Sequence, residues 1–386
     1  MPMRICHVTP HLPPDQAANA LLPHHLGTWA REAGAEVCYL AHPPRAGDPG
    51  AQPGPVVWIG ARHDRPARRI GGRAASLVRA LGILRRTLPV VARADLVHIH
   101  SNGLLAETAA LAAGLAGRPV VLTLYGTEVW HYAPRRLDLF ARAYRRAARV
   151  VFYSRRLLDR AVELGLGRPG LVPIYPPVPG TFTWHDAAAQ AGARADLGLT
   201  ATNLLVNVKR LHPLAGQHTL LRAMPAILAA HPDTQLVLCG TGPLRADLER
   251  LAGELGVTAR IRFAGLVDNA VVARYCAAAD LFVLPSRLEA CPTVAVEALA
   301  AGTPVVSTDN PGGLELRDLF GDDVAVVPEA RPAALAEAVV AFLDAKRRTR
   351  PATAAVIERE FRPAVVWARY RRIYDEARNE AARHPG

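Results

Sequence analysis

Short runs rich in β-branched and aliphatic residues alternate with longer amphipathic segments from one end of this chain to the other, and no other feature constrains its fold as much. Strands buried on both faces and joined by crossover helices give this rhythm, so the pattern predicts parallel sheets covered by helices. In the first half the strand candidates are Ile5 to Thr9, Val37 to Ala41, Val56 to Gly60, Leu96 to His100, Val120 to Leu124, Val150 to Tyr153 and Leu171 to Ile174. In the second half they are Leu204 to Val208, Gln235 to Cys239, Ile261 to Ala264, Leu281 to Leu284, Pro304 to Ser307 and Val324 to Val327. At 386 residues the chain exceeds one ordinary domain, and two doubly wound α/β domains are expected. The run Tyr175-Pro176-Pro177-Val178-Pro179-Gly180, with the Ala-rich stretch from Thr183 to Ala195, reads as a hinge and linker. That places a first domain at 1–180 and a second at 181–359. The helical pattern of about 360–386, with Val366, Trp367, Tyr370, Ile373 and Tyr374 on one side, is expected to return to the first domain.

Composition removes several classes of function. No apolar stretch reaches the roughly 20 residues of a spanning helix, and residues 1–14 lack the apolar core and cleavage site of a signal peptide. A cytoplasmic protein is expected. Five cysteines, widely spaced and without metal-ligand spacing, read as reduced thiols in the core. The formal charge is +12, and all of the excess lies early: residues 1–180 hold 23 Arg against 11 acidic side chains, and the rest of the chain balances. Only Lys209 and Lys346 are lysines, so part of the arginine content is a compositional bias. The Arg-rich segments Arg62 to Arg93 and Arg135 to Arg149 read either as a solvated face or as a peripheral contact with an anionic membrane or acidic acceptor. Without a recognition module or interleaved aromatics, nucleic acid is not expected as a partner.

The chemistry-bearing residues concentrate in Pro285-Ser286-Arg287-Leu288-Glu289-Ala290-Cys291-Pro292-Thr293-Val294-Ala295-Val296-Glu297 and the run that follows to Val306. It reads as strand, loop, helix, strand, with Pro292 in the first helical turn and Gly302 at the stop. Amide hydrogens near Thr293 and Val294 can hold a phosphate, with Glu289 and Glu297 placed to accept from hydroxyl groups. This segment, with Pro285-Ser286 before it and Gly312-Gly313-Leu314-Glu315 after it, resembles the E-x7-E signature of the retaining glycosyltransferases of family 4. The resemblance implies the GT-B fold, two Rossmann-like domains facing an interdomain cleft. It also implies transfer of a sugar from a nucleotide-diphosphate sugar to a hydroxyl acceptor, without metal or other cofactor.

The resemblance extends over nearly the whole chain and implies roles residue by residue. Glu289 would contact the transferred sugar, Glu297 the ribose, and Arg210, at the end of the strand Leu204 to Val208, the donor diphosphate. Position 215, where the family has a Lys, is Ala215, and Lys209 is the alternative cation. Leu238-Cys239-Gly240-Thr241-Gly242-Pro243 resembles the family's G-x-G-P turn; Arg245 in place of a third glycine argues against a dinucleotide fold. Gly240, Val267 and Cys291 complete the expected donor site. In the first domain the family's Gly-Gly loop, which lets the backbone approach the donor phosphate, is replaced by His11-Leu12-Pro13-Pro14-Asp15-Gln16-Ala17-Ala18-Asn19, where Asn19 best tolerates unusual backbone angles and is the expected donor-binding residue. Tyr125 fills the slot of a family His beside the reacting sugar, and His11, Glu128 and His131 are acceptor-side or structural residues. His98 and His100 point the same way along one strand, but no third metal ligand is evident in sequence. A noncatalytic nucleotide-sugar-binding relative and another GT-B enzyme, such as a sugar-nucleotide epimerase, remain alternatives.

Overall fold

The computed structural model describes residues 2–15, 17–44, 48–60, 72–134 and 138–383. The chain divides into two compact units, one formed by residues up to Ile174 together with those from Val366 on, the other by Tyr175–Val365.

In unit 1 the order is β1 (Arg4–Thr9), α1 (Ala18–Glu32), β2 (Glu36–Ala41), β3 (Val56–Trp58), α2 (Gly72–Ala92), β4 (Leu96–His100), α3 (Leu104–Leu115) and β5 (Val120–Leu124). There follow α4 (Thr127–Trp130), α5 (Leu139–Arg146), β6 (Arg149–Phe152), α6 (Arg155–Ala161) and β7 (Leu171–Pro173). The seven strands are parallel in the order β3-β2-β1-β4-β5-β6-β7. Strands β4 and β5 are buried along their whole length; β5 accordingly reads as an unbroken apolar or β-branched run, whereas β4 buries two polar residues, His98 and His100.

Unit 2 runs α7 (Ala187–Asp196), β8 (Asn203–Val208), α8 (Gln217–Ala230), β9 (Thr234–Cys239), α9 (Arg245–Glu254), β10 (Ile261–Gly265), α10 (Asn269–Ala278) and β11 (Leu281–Leu284). It continues through α11 (Thr293–Ala300), β12 (Val305–Thr308), α12 (Pro311–Phe320), β13 (Val324–Val327), α13 (Pro332–Ala345) and α14 (Pro351–Glu360). Its six strands, again parallel, are ordered β10-β9-β8-β11-β12-β13. The core of one side is built from Leu205, Leu236, Leu238, Leu281 and Val283 of the sheet against Leu220, Met224 and Ile227 of α8 and Val339 of α13. Every sequence-predicted strand is present, with ends shifted by at most two residues.

The Ala-rich stretch expected as linker is instead α7. Asp186 caps it by accepting from the Ala189 amide, and it buries no residue. Polar bonds hold it to α10 and the start of β11: Gln190 donates to the Ala279 carbonyl at 2.9 Å and Arg194 to that of Ala278 at 2.9 Å, and Arg194 pairs with Asp280. Alanine has the highest helix propensity, so a capped Ala-rich run forms a helix where, next to the Pro-rich run 175–180, a linker was expected.

The last helix, α15 (Pro363–Arg383), buries Val366, Tyr370, Ile373, Tyr374 and Ala377, and from Val366 on it belongs to unit 1. Among the described residues no helix is long and apolar enough to cross a membrane. Of the Arg-rich segments, Arg62, Arg65, Arg68, Arg69, Arg135 and Arg136 lie outside the described residues. On α5, Phe140 and Tyr144 are buried while Arg142, Arg145 and Arg146 are exposed, as an amphipathic surface helix requires.

Candidate functional site

Both sheets reverse strand order once, between β1 and β4 in unit 1 and between β8 and β11 in unit 2. At such a point the loops leaving the two strands diverge, and the space beyond their carboxyl ends is the place for a ligand. In unit 2 those loops carry Lys209 and Arg210 on one side and residues 285–292 on the other.

Glycines decide how closely these loops approach. A Cβ on Gly240, whose φ is 135°, would lie 2.2 Å from the Lys209 carbonyl oxygen, and one on Gly242 would lie 2.2 Å from that of Leu211. The G-x-G turn is thus explained by backbone packed on backbone: the Lys209 and Leu211 amides donate to the carbonyls of Cys239 and Thr241, both at 2.9 Å. Likewise a Cβ on Gly312, in the first turn of α12, would meet the Glu289 Cβ at 2.5 Å. Asn310 fixes that helix end, its Oδ1 accepting from the Gly312 and Gly313 amides and its Nδ2 donating to the Ser286 carbonyl.

So positioned, Glu289 Oε1 lies 2.5 Å from Lys209 Nζ, an ionic contact without hydrogen-bond geometry. Both side chains are only part-exposed. Arg210 is exposed, and its carbonyl accepts from Gln217 Nε2 at 3.2 Å. Ala215, at the expected Lys position, is buried. Asn207 Oδ1, Gln217 Oε1, Ser286 Oγ and Glu289 Oε1 are all buried side-chain oxygens without a hydrogen-bond partner among the described residues. Buried oxygens are normally satisfied, and their concentration on β8, the start of α8 and the loop after β11 marks a binding region.

Helix α11 begins at Thr293, so Pro292 is its N-cap rather than its first helical residue, and no side chain caps it. The contrast with α12, capped by Asn310, leaves the first-turn amides of α11 for a ligand. Glu297 lies in the second turn and is part-buried; burial pushes its carboxyl up to about 7. Cys291 is buried, and its thiol is raised well above the usual range by burial, then by Glu315 and Glu289, so it packs as a neutral small side chain. Val267 lies in the loop after β10, part-buried, beside Leu266, which is 76% exposed.

In unit 1 the expected residues divide. Tyr125 follows β5 directly; its phenol meets His100 Nδ1 at 2.8 Å, its ring packs on Tyr153, and its amide donates to Glu128 Oε2 at 3.2 Å. Burial holds the phenol well above its usual pKa. Glu128 is buried and spent internally: Oε2 also accepts from the Gly126 amide at 2.9 Å, and Oε1 accepts from Ser101 Oγ at 2.5 Å. Ser101, at φ 81° just past β4, is held there by that bond. Asn19 is not in an unusual backbone conformation; it lies in the first turn of α1, and its carbonyl accepts from Thr9 Oγ1. His11 Nδ1 pairs with Asp15 Oδ2 at 3.0 Å, part-exposed, and His131 is exposed at the end of α4.

Several residues escape sequence reasoning. His7 joins His98 and His100 in one buried cluster, because β1 and β4 pair with His7 opposite His98. Only the strand order, invisible in sequence, brings them together. Glu315, named above only as the end of the Gly312-Gly313-Leu314-Glu315 run, is buried in α12 and accepts from the Tyr175 hydroxyl at 2.5 Å, a partner the sequence does not announce. Ser101 carries no motif.

Residues 193–356 match the family model "Glycosyl transferases group 1", and residues 23–177 match "Glycosyl transferase 4-like domain". The putative teichuronic acid biosynthesis glycosyltransferase TuaC of Bacillus subtilis is 32% identical over 76% of this chain and 69% of that protein. Glycogen synthase of Mycobacterium tuberculosis is 31% identical over 85% of this chain and 84% of that protein. A GDP-mannose-dependent phosphatidylinositol monomannoside mannosyltransferase of Mycolicibacterium smegmatis is 31% identical, covering 55% of this chain and 57% of its own. Among solved structures, Anabaena Alr3699/HepE in complex with UDP and glucose superposes with a TM-score of 0.75 at 20% identity, over 96% of this chain and 98% of that one.

Proposed function

We propose, from the premise that this chain belongs to the GT4-type, nucleotide-sugar-dependent glycosyltransferases of the GT-B fold, that it transfers a hexose to a hydroxyl acceptor with retention of anomeric configuration and without a metal. The observation that carries this reading is the β8–β11 region of unit 2. There an uncapped helix start, a Lys209–Glu289 pair and several unsatisfied buried oxygens surround one strand-order reversal.

In this reading unit 2 holds the donor. Arg210 and the first-turn amides at Thr293 and Val294 bind the diphosphate, whose charge grows as the glycosidic bond breaks. Glu289 accepts from sugar hydroxyls, with Lys209 paired to its carboxylate and supplying the cation absent at Ala215. Glu297 accepts from the ribose, Cys291 packs beneath the loop, and Gly240, Val267 and the exposed Leu266 border the base. The bond from C1 to the leaving phosphate oxygen breaks as the acceptor oxygen bonds to C1 on the same face. The acceptor proton passes to that phosphate oxygen, so no protein nucleophile is required.

Unit 1 serves the acceptor, with Tyr125 as its polar contact, His11 just past β1 and His131 at the end of α4, while Asn19 is offered to the donor. Glu128 shapes the loop rather than meeting the acceptor, since its oxygens already have three donors. The basic charge of this half supports an anionic or membrane-held acceptor. On α2, Leu77 and Leu81 are 62% and 57% exposed, about two turns and one turn before the exposed Arg85. Flotation with anionic but not neutral vesicles is the expected behaviour; equal recovery on both removes the membrane contact.

Calorimetric titration with UDP, GDP and ADP tests the donor assignment. One nucleotide should bind, and Arg210→Ala and Glu297→Ala should each weaken it about tenfold or more. Binding of none of the three near millimolar concentration would sink the reading.

A further inference from the structure

The sheet of unit 1 carries three fully buried histidines on one face, and the glycosyltransferase reading leaves them without a task. His7 of β1 stands opposite His98 of β4, and His100 lies two residues further along β4 on the same face. Their nearest nitrogens lie within 4.8 Å of one another, a spacing that invites a metal ion. Five of the six ring nitrogens, however, already face protein partners. His98 meets Tyr374 Oη and Thr123 Oγ1, both at 2.7 Å; His7 Nδ1 meets His100 Nε2 at 3.0 Å; and His100 Nδ1 meets the Tyr125 hydroxyl at 2.8 Å. The sixth nitrogen, His7 Nε2, is buried with no partner among the described residues.

That orphan fixes the direction of the chain. Burial keeps His7 neutral, lowering its pKa to about 3, and burial together with the neighbouring histidines lowers His98 and His100 well below the usual value. Each ring therefore carries one N–H, on one nitrogen or the other. With hydrogen on Nε2, His7 would bury a donor that has no acceptor, the arrangement native proteins avoid most strictly; a bare lone pair is better tolerated. His7 then holds its hydrogen on Nδ1 and donates to His100 Nε2. His100, accepting there, carries its own hydrogen on Nδ1 and donates to Tyr125 Oη.

We propose that His7 and His100 form a one-directional hydrogen-bond relay that fills the acceptor side of the Tyr125 phenol, so that Tyr125 presents its O–H as a donor to a hydroxyl or phosphate oxygen of the bound ligand. His7 and His100 are positioning residues, and neither touches the ligand. The other end of Tyr125 is anchored independently, because Glu128 holds its amide and is itself held by Ser101. The phenol is thus oriented from inside the sheet and from the loop, at the carboxyl end of β5 where ligands of doubly wound sheets bind. The ligand half of this proposal rests on the glycosyltransferase reading; the direction of the relay does not.

Long-range proton–nitrogen correlation spectra of the full chain labelled with 15N-histidine report the tautomers directly. Resonances are assigned through His7→Asn and His100→Asn. Both His7 and His100 should be protonated at Nδ1, the minority form of free imidazole; an Nε2–H form at either overturns the relay. Turnover of UDP-glucose and GDP-mannose, read as nucleotide release, tests its effect. Tyr125→Phe should lower kcat about tenfold with KM little changed, and His7→Phe should do the same. The double variant should be no slower than either single one, and His7→Asn, whose amide N–H replaces the Nδ1 donor, should recover most of the rate. Multiplying effects in the double variant, about a hundredfold together, would show that the histidines do not act through Tyr125. Should the unaltered protein turn over neither sugar nucleotide, the donor assignment fails while the tautomers still decide the relay.

Discussion

The two sheets have the same parallel construction and the same single reversal of strand order, yet they fill that reversal with opposite chemistry. In unit 1 it is packed with neutral histidines that bond to one another and to tyrosines. In unit 2 it is left with an ionic pair, unsatisfied oxygens and an uncapped helix. The difference teaches that the topology supplies only the location of a site. Whether that location is sealed or kept ready for a charged ligand is decided by a few side chains.

Acid should break the comparison most strongly, because the two halves respond to pH with opposite sign. For histidines whose pKa is depressed in the fold, the unfolded chain binds the extra protons below about 6.5, so their contribution is complete above that value and lost as pH falls toward the folded value, about 3 for His7. Each buried histidine removes up to about 1.4 kcal/mol per pH unit in that window. Glu297 acts in reverse: its raised pKa stabilises the protonated fold below the ordinary carboxyl range, and that contribution is lost as pH rises to about 7. Limited proteolysis at pH 5 should therefore cut unit 1 before unit 2, and equal protection of both would contradict the assignment of neutral histidines.

The next largest effect concerns catalysis. Glu289→Ala should reduce sugar transfer by about a hundredfold or more, a loss of about 3 kcal/mol of transition-state stabilisation, while unfolding by heat changes little. Initial-rate measurements with a saturating donor check this. Gly240→Ala should cost about 1–3 kcal/mol of stability, since its Cβ would collide with the Lys209 carbonyl at a backbone angle that side chains rarely adopt. Denaturant midpoints measure it, and a neutral result would mean that the turn can move away from β8. The smallest effect is a gain: Glu297→Gln should stabilise the ligand-free protein by about 1 kcal/mol above pH 7, where the native carboxyl is buried and charged, and should weaken nucleotide binding. Calorimetric melting at pH 8 compares the two proteins.

Much of the fold was legible because fully buried parallel strands write themselves as apolar runs. Val120–Leu124, Leu281–Leu284 and Val324–Val327 match their predicted bounds, as does Leu96–His100 despite its two buried histidines. The unit 2 loop was legible for another reason, since Glu289, Pro292, Glu297 and Gly302 all lie within one local segment. What sequence hides is juxtaposition across strands. His7 lies more than ninety positions from its partner His100, and nothing local announces that they meet. Composition also misled: a polar, Ala-rich run was read as tether where Asp186 and alanine propensity make a helix. At Asn19 the residue's tolerance of left-handed backbone was irrelevant, because the chain there is already helical.

The return of α15 to unit 1 has a temporal consequence. Ribosomes add about 5–20 residues per second, so roughly 10–40 s separate the emergence of Ile174 from that of Val366. During that interval the nascent N-terminal sheet lacks Tyr370 and Tyr374, and the face carrying His98 and Thr123 is uncovered. Unit 2, continuous in the chain, can finish first. The segment made first is therefore the last to be completed, and it is the one for which chaperones and proteases have the longest opportunity.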